Sequence, residues 1–124
     1  MNKVHKINIL YIRNLEKDFT NKKIIQNLKK IKQLNFFRKI GISIYEYNNI
    51  KNLYKQFKYD VIQLPCNLID NRSDKLRSFY KKNNIEIHER SIFLQGLLIT
   101  KSKRILSKFD HYKEVFFELN KLDK

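Results

Sequence analysis

The stretch Ile85 to Leu98, IEIHERSIFLQGLL, decides how this chain is read. It reads as a short buried strand running straight into a loop that carries Arg90, Ser91, Gln95 and Gly96. Two strands of the same kind precede it, KIGIS at Lys39 to Ser43 and VIQLPCN at Val61 to Asn67. Each ends in polar residues. Polar groups at the carboxyl ends of successive parallel strands are where α/β proteins place ligand sites.

Working outward, the segment Ile7 to Ile12 is a further strand candidate, β-branched and bounded by polar residues. Thr20 or Asn21 can cap a helix whose apolar positions are Ile24, Ile25, Leu28 and Ile31, a single stripe. Ile50, Leu53, Tyr54 and Phe57 make a second helical stripe. Leu76, Phe79 and Tyr80 mark a third helix, stopped by Asn83 and Asn84. Phe109, Tyr112, Val115, Phe116, Leu119 and Leu122 predict a long amphipathic helix in the tail. The order is β-α-β-α-β-α-β-loop-α, which implies an α/β fold with a parallel sheet and right-handed crossovers. Pattern alone fits a flavodoxin-like open sheet and part of a (β/α)8 barrel equally well. Neither a GxGxxG turn nor a Walker loop is present to favour the open sheet.

No linker or low-complexity stretch divides the 124 residues, so one domain is expected. A hydrophobic fraction of 42% is too high for a disordered chain. No apolar run approaches the ~18 residues of a membrane span, and no signal-peptide cleavage site follows the basic start. The single cysteine, Cys66, excludes an intramolecular disulfide and gives no metal pattern. A cytoplasmic location and no membrane partner are expected. The net charge of +15 invites a nucleic-acid reading. However, the lysines are spread along the chain, and the absence of alanine beside abundant Lys, Asn and Ile looks like compositional bias. Nucleic acid is therefore not the expected partner. Gly41, Gly96 and Pro65, in so biased a chain, all fall in the strand-end segments.

These segments together resemble the aldo/keto reductase family. Ile7 to Asn14 is similar to the family's fourth strand, Arg38-Lys39-Ile40-Gly41-Ile42-Ser43 to its fifth, and Val61-Ile62-Gln63 with Asn67 to its sixth. Ile85 to Leu98 follows the seventh closely, and RSIFLQGLL is its most specific piece. The matches span about residues 7 to 98. The resemblance implies a partial (β/α)8 TIM barrel, about four parallel β/α units plus a C-terminal helix, that begins partway through the barrel and stops before its end.

It also implies NADPH or NADH as cofactor and carbonyl reduction as the parent chemistry. Ser43 and Gln63 would hold the nicotinamide carboxamide, since a hydroxyl and an amide suit its donors and acceptors. Ser91, Gln95 and Gly96, with Arg90, would lie along the pyrophosphate. Arg90 and Phe93 are the local candidates for the group that packs on the nicotinamide. The family's Asp, Tyr and Lys would precede Met1, and its histidine position is Arg13. A guanidinium does not titrate as an imidazole does. The isolated chain is therefore expected to be inactive. Its expected partners are a second copy in a homodimer, or the missing N-terminal half of the barrel.

Plainer readings stand beside these. Ser43 can simply end a strand, and Gln63 can satisfy neighbouring backbone. Arg90 can pair with Glu46 or Glu86, and His88 can be a satisfied strand residue. Cys66 reads as a buried small apolar residue, and Asp70 and Asp74 near Arg72 as helix-start residues. A non-catalytic basic module binding an anionic partner, or the remnant of a split gene, are the alternative functions.

Overall fold

Four parallel strands form one sheet in the computed structural model of this chain, which describes residues 6–100 and 107–121. The chain folds as two compact units, residues 1–90 and 91–124. The first unit holds the sheet: β1 (Ile7–Arg13), β2 (Phe37–Ser43), β3 (Val61–Pro65) and β4 (Glu86–Arg90). Between the strands come α1 (Leu15–Asp18) and α2 (Lys22–Gln33), then α3 (Ile50–Gln56). A 3-10 helix, Arg72–Leu76, continues into α4 (Arg77–Lys82) before the last strand.

The strands stand in the order β1-β2-β3-β4. This separates the two arrangements that the alternating pattern leaves open. A flavodoxin-like sheet places its first strand between the second and the third. Sequential order with right-handed crossovers instead lays the connecting helices on one face, as a barrel does. Four parallel strands with helices between them are thus the α/β architecture of a partial barrel.

Register sorts the side chains by face, because alternate residues of a strand point opposite ways. Ile12, Ile42, Ile62 and Ile87 are successive partners across the sheet. Ile42 and Ile62 are fully buried in a core with Ile25 and Leu28 of α2, Ile50 and Leu53 of α3, and Tyr80 of α4. Each such aliphatic side chain contributes about 1.5–3 kcal/mol by leaving water. The helical stripes predicted from spacing are the faces that pack here. Asn21 is the cap of α2, its Oδ1 accepting from the N–H groups of Lys23 and Ile24 at 3.1 and 3.3 Å.

Two elements differ from expectation. Arg90 is the last residue of β4 and not the start of a loop, because its carbonyl accepts from Cys66 N–H at 3.0 Å. The long tail helix is shorter: α5 spans Lys113–Lys121, and a 3-10 helix, Ser107–Tyr112, precedes it. Phe109, at φ −122° and ψ 40°, leaves the helical range, which takes Phe109 and Tyr112 off the predicted stripe. Leu122 lies outside the described residues. The second unit also holds a 3-10 helix, Leu94–Ile99.

Candidate functional site

On the sheet face turned away from Ile42 and Ile62, one register row reads Arg13, Ser43, Gln63, His88 across the four strands. Period-two alternation puts four polar side chains side by side near the carboxyl ends of the strands. Ser43 Oγ donates to Gln63 Oε1 at 2.9 Å. That bond leaves the Gln63 amide nitrogen, with its two donors, and a hydroxyl lone pair at the same place. The pair has the donor and acceptor set that a carboxamide requires. Ser43 is buried and Gln63 half-buried. Ile44, the next residue, is fully buried in the core and offers only its backbone.

Arg13 is exposed, with Nη2 3.4 Å from Tyr45 Oη. Arg90 lies over the Tyr45 ring at 4.1 Å and donates from Nη2 to the Ile44 carbonyl at 2.9 Å. It pairs with neither Glu46 nor Glu86, whose lysine partners are Lys17 and Lys39. Tyr45 was not legible as a site residue, although its place two residues beyond Ser43 is a signal of period two.

The row below contains Tyr11, Gly41, Val61 and Glu86. Tyr11 Oη and His88 Nδ1 share a hydrogen bond, and His88 Nε2 lies 2.6 Å from Glu86 Oε1. Lys39 Nζ bonds the other Glu86 oxygen. Hydrogen bonds from Lys39 and then from His88 hold the Glu86 carboxyl below its ordinary range. Partial burial, followed by the Glu86 charge, raises the Tyr11 phenol. His88 is therefore a satisfied strand residue, with partners that its isolated position in the sequence does not reveal.

Beyond the strand ends, the loops after β2 and β3 enclose a cleft of about 340 Å³ lined by Glu46, Tyr47, Asn48, Asn71, Arg72 and Lys75. Tyr47 donates to the Pro65 carbonyl at 2.8 Å, and burial pushes its phenol up to about 12. Asp70 holds Arg72 through two bonds of 2.8 Å, and Asp74 holds Arg77 at 2.7 Å. Both acids are accounted for as loop and helix-start residues. Asn67 Oδ1 accepts from the N–H groups of Ile69 and Asp70, both at 3.0 Å, closing a tight turn. Cys66 is half-buried and packs against the core. Glu16, another residue that spacing did not single out, is buried after β1 and accepts from Tyr45 N–H at 3.0 Å.

In the second unit, Ser91, Gln95 and Gly96 line one concavity of about 650 Å³ together with Leu94, Leu97, Thr100 and Phe109. Phe93 is exposed. Ser91, Leu94, Gln95 and Gly96 all have positive φ, the last at 89°. Apart from its chain neighbours, no atom of the described residues lies within 4 Å of where a Gly96 side chain would begin. The Gly96 N–H donates to the Phe93 carbonyl at 2.9 Å and is engaged in the turn itself.

Among the described residues no group of His, Cys, Asp and Glu could hold a metal ion. No described helix is long and apolar enough to cross a membrane. No curated protein matches the chain significantly. The model of the aldo/keto reductase family, which generally uses NAD(P)H, matches residues 1–122. Since that match runs through all four strands and into the tail, the chain belongs to the aldo/keto reductase family, and its kind of chemistry is that of an oxidoreductase.

Proposed function

We propose that the chain carries strands four to seven of an NAD(P)H-dependent carbonyl reductase barrel. In the first unit, Ser43 and Gln63 bind the nicotinamide carboxamide, and Arg90 stands at the adjoining strand end. In the second, Ser91, Gln95 and Gly96 serve the pyrophosphate side. A bound dihydronicotinamide supplies the hydride. The observation that carries the reading is the 2.9 Å bond from Ser43 to Gln63 on neighbouring parallel strands, which aligns a hydroxyl and an amide on one face. A cytoplasmic location accords with this reading.

The chain alone does not turn over carbonyl substrates in this proposal. Arg13 stands at the family's histidine position, and its permanent charge cannot exchange a proton near neutral pH. NADPH fluorescence titration is the test of binding. A saturable change is expected, weakened at least tenfold in Gln63→Leu, since an amide bonded to the cofactor contributes about 1.5 kcal/mol. An absence of any change at millimolar NADPH sinks the cofactor reading. Reduction of glyceraldehyde by the purified chain would sink the claim of inactivity.

A second reading concerns the partner. Among the described residues β1 and β4 each pair on one side only, so both present unpaired backbone groups at the edges of a parallel sheet. Two copies joined edge to edge supply the eight strands of a closed barrel.

A further inference from the structure

The last turns of α2 and α3 border one groove of about 440 Å³ whose charged lining is Lys29, Lys32, Lys55 and Lys58. Gln33 and Gln56 add their amides, and Phe57, a core residue, gives the groove an apolar wall. Lys32 Nζ reaches from α2 to the turn after α3. It donates to the Lys58 carbonyl at 2.7 Å and to both Asp60 carboxylate oxygens at 3.0 and 3.1 Å. Asp60 is itself fixed, because its Oδ2 accepts from the Ile40 N–H at 2.9 Å. The Lys58 amine lies 4.0 Å from the centre of the Tyr54 ring. Among the described residues, the Lys29 and Lys55 side chains have no hydrogen bond, ion pair or ring partner.

In the sequence these lysines stand in two separate places, and only the packing of α2 and α3 on the sheet brings them around one groove. Neither helix contains an acidic residue. The charge balance shows what is left over. Asp60 offsets one of the four ammonium groups. The two helix C-termini carry about half a negative charge each and offset about one more. About two positive charges therefore remain in the groove. We propose that the groove is a binding site for a small anion carrying a chain of phosphates, with Lys29 and Lys55 as its direct charge partners.

The chemistry of the donors selects this class. The groove offers ammonium groups and no guanidinium, so it has point charges and lacks the planar fork that matches a single carboxylate. Two amines come from the α2 side and two from the end of α3, which suits charge spread along a ligand that spans the groove. The Gln33 and Gln56 amides can donate to further phosphate oxygens. The groove lies where α2 and α3 turn into the amino-terminal ends of β2 and β3. Ser43 and Gln63 lie at the opposite, carboxyl ends, so the site is separate from the proposed nicotinamide contacts.

The test is residue-resolved NMR on the full 124-residue chain, titrated with inorganic tripolyphosphate. Saturable shifts are expected at the amides of residues 29–33 and 55–58, with Ser43 and Gln63 unmoved. Lys29→Gln with Lys55→Gln removes two amines that hold no other contact, so the fold is kept and the affinity falls about tenfold. Lys22→Gln with Lys81→Gln lowers the net charge equally outside the groove and is expected to leave the affinity within about twofold. ATP forms a second arm. Tighter binding than tripolyphosphate at the same amides names a nucleotide as the source of the phosphates, and equal binding names the inorganic chain. The assignment is overturned if millimolar tripolyphosphate gives no saturable shift, if both double variants weaken it alike, or if the shifts fall at Ser43, Gln63 or residues 91–96 instead. A single-stranded oligonucleotide that binds these amides more tightly than either probe also overturns it, in favour of a nucleic-acid surface. No nicotinamide cofactor enters the experiment, so its outcome is separate from that of the cofactor reading.

Discussion

Tyr80 and Tyr59 are almost fully buried, and their hydroxyls have no hydrogen-bond partner among the described residues. A buried hydroxyl without a partner loses its bonds to water and gains none. Burial accordingly raises both phenols. Tyr80→Phe is expected to stabilise the fold by about 1 kcal/mol, seen as a higher urea midpoint at unchanged slope. A lower midpoint would mean that the hydroxyl is bonded. Glu86 behaves in the opposite sense. Its folded carboxyl titrates below the ordinary value of 4.5 because Lys39 and His88 bond its charged form. Its contribution to stability is present above that value and is lost as pH falls through the lower, folded one. Glu86→Gln should therefore flatten the acid arm of the stability curve below about pH 4.5, measured by urea unfolding at several pH values. An unchanged arm would show that the bonds from Lys39 and His88 do not hold in solution.

The decisive element is β2, a central strand whose two faces have different tasks. Ile40 and Ile42 enter the core, while Gly41 and Ser43 face the open side. Gly41 is required by packing, since a methyl group there would press on the Tyr11 ring and on Val61 Cβ at 3.2 Å. Gly41→Ala is expected to cost about 1–3 kcal/mol. It should also detach Tyr11 from His88, visible as a moved His88 ring resonance together with a lowered urea midpoint. A substitution neutral in both measurements would show that Tyr11 does not lie across β2. Much of this strand was legible in advance. The IGIS run marked the strand, its glycine and its terminal serine, because composition and alternation are local properties. The contact that makes Gly41 necessary was not legible, because Tyr11 lies 30 residues earlier and no spacing connects the two.

At the scale of the whole molecule, the edges of the sheet carry the prediction. If two copies close a barrel, size exclusion with light scattering gives twice 15.2 kDa at micromolar concentration. An Ile9→Pro change on β1 removes a backbone donor and returns the mass to that of one chain. A well-folded monomer of the unaltered chain excludes the dimer. The sequence by itself determined the element order, the faces of α2 and α3, and the candidates Ser43, Gln63, Arg90, Ser91 and Gly96. These follow from hydrophobic period, caps and strand ends, each written within a dozen or so residues. It left two sheet arrangements open, and it carried no sign that Tyr11, His88 and Glu86 meet. Only the tertiary structure decided these points. Strand order and lateral register depend on which backbones hydrogen-bond to each other, a long-range choice set by packing over the whole sheet. The sequential order β1-β2-β3-β4 made the sheet that of a partial barrel, and its register brought residues 11, 86 and 88 into contact.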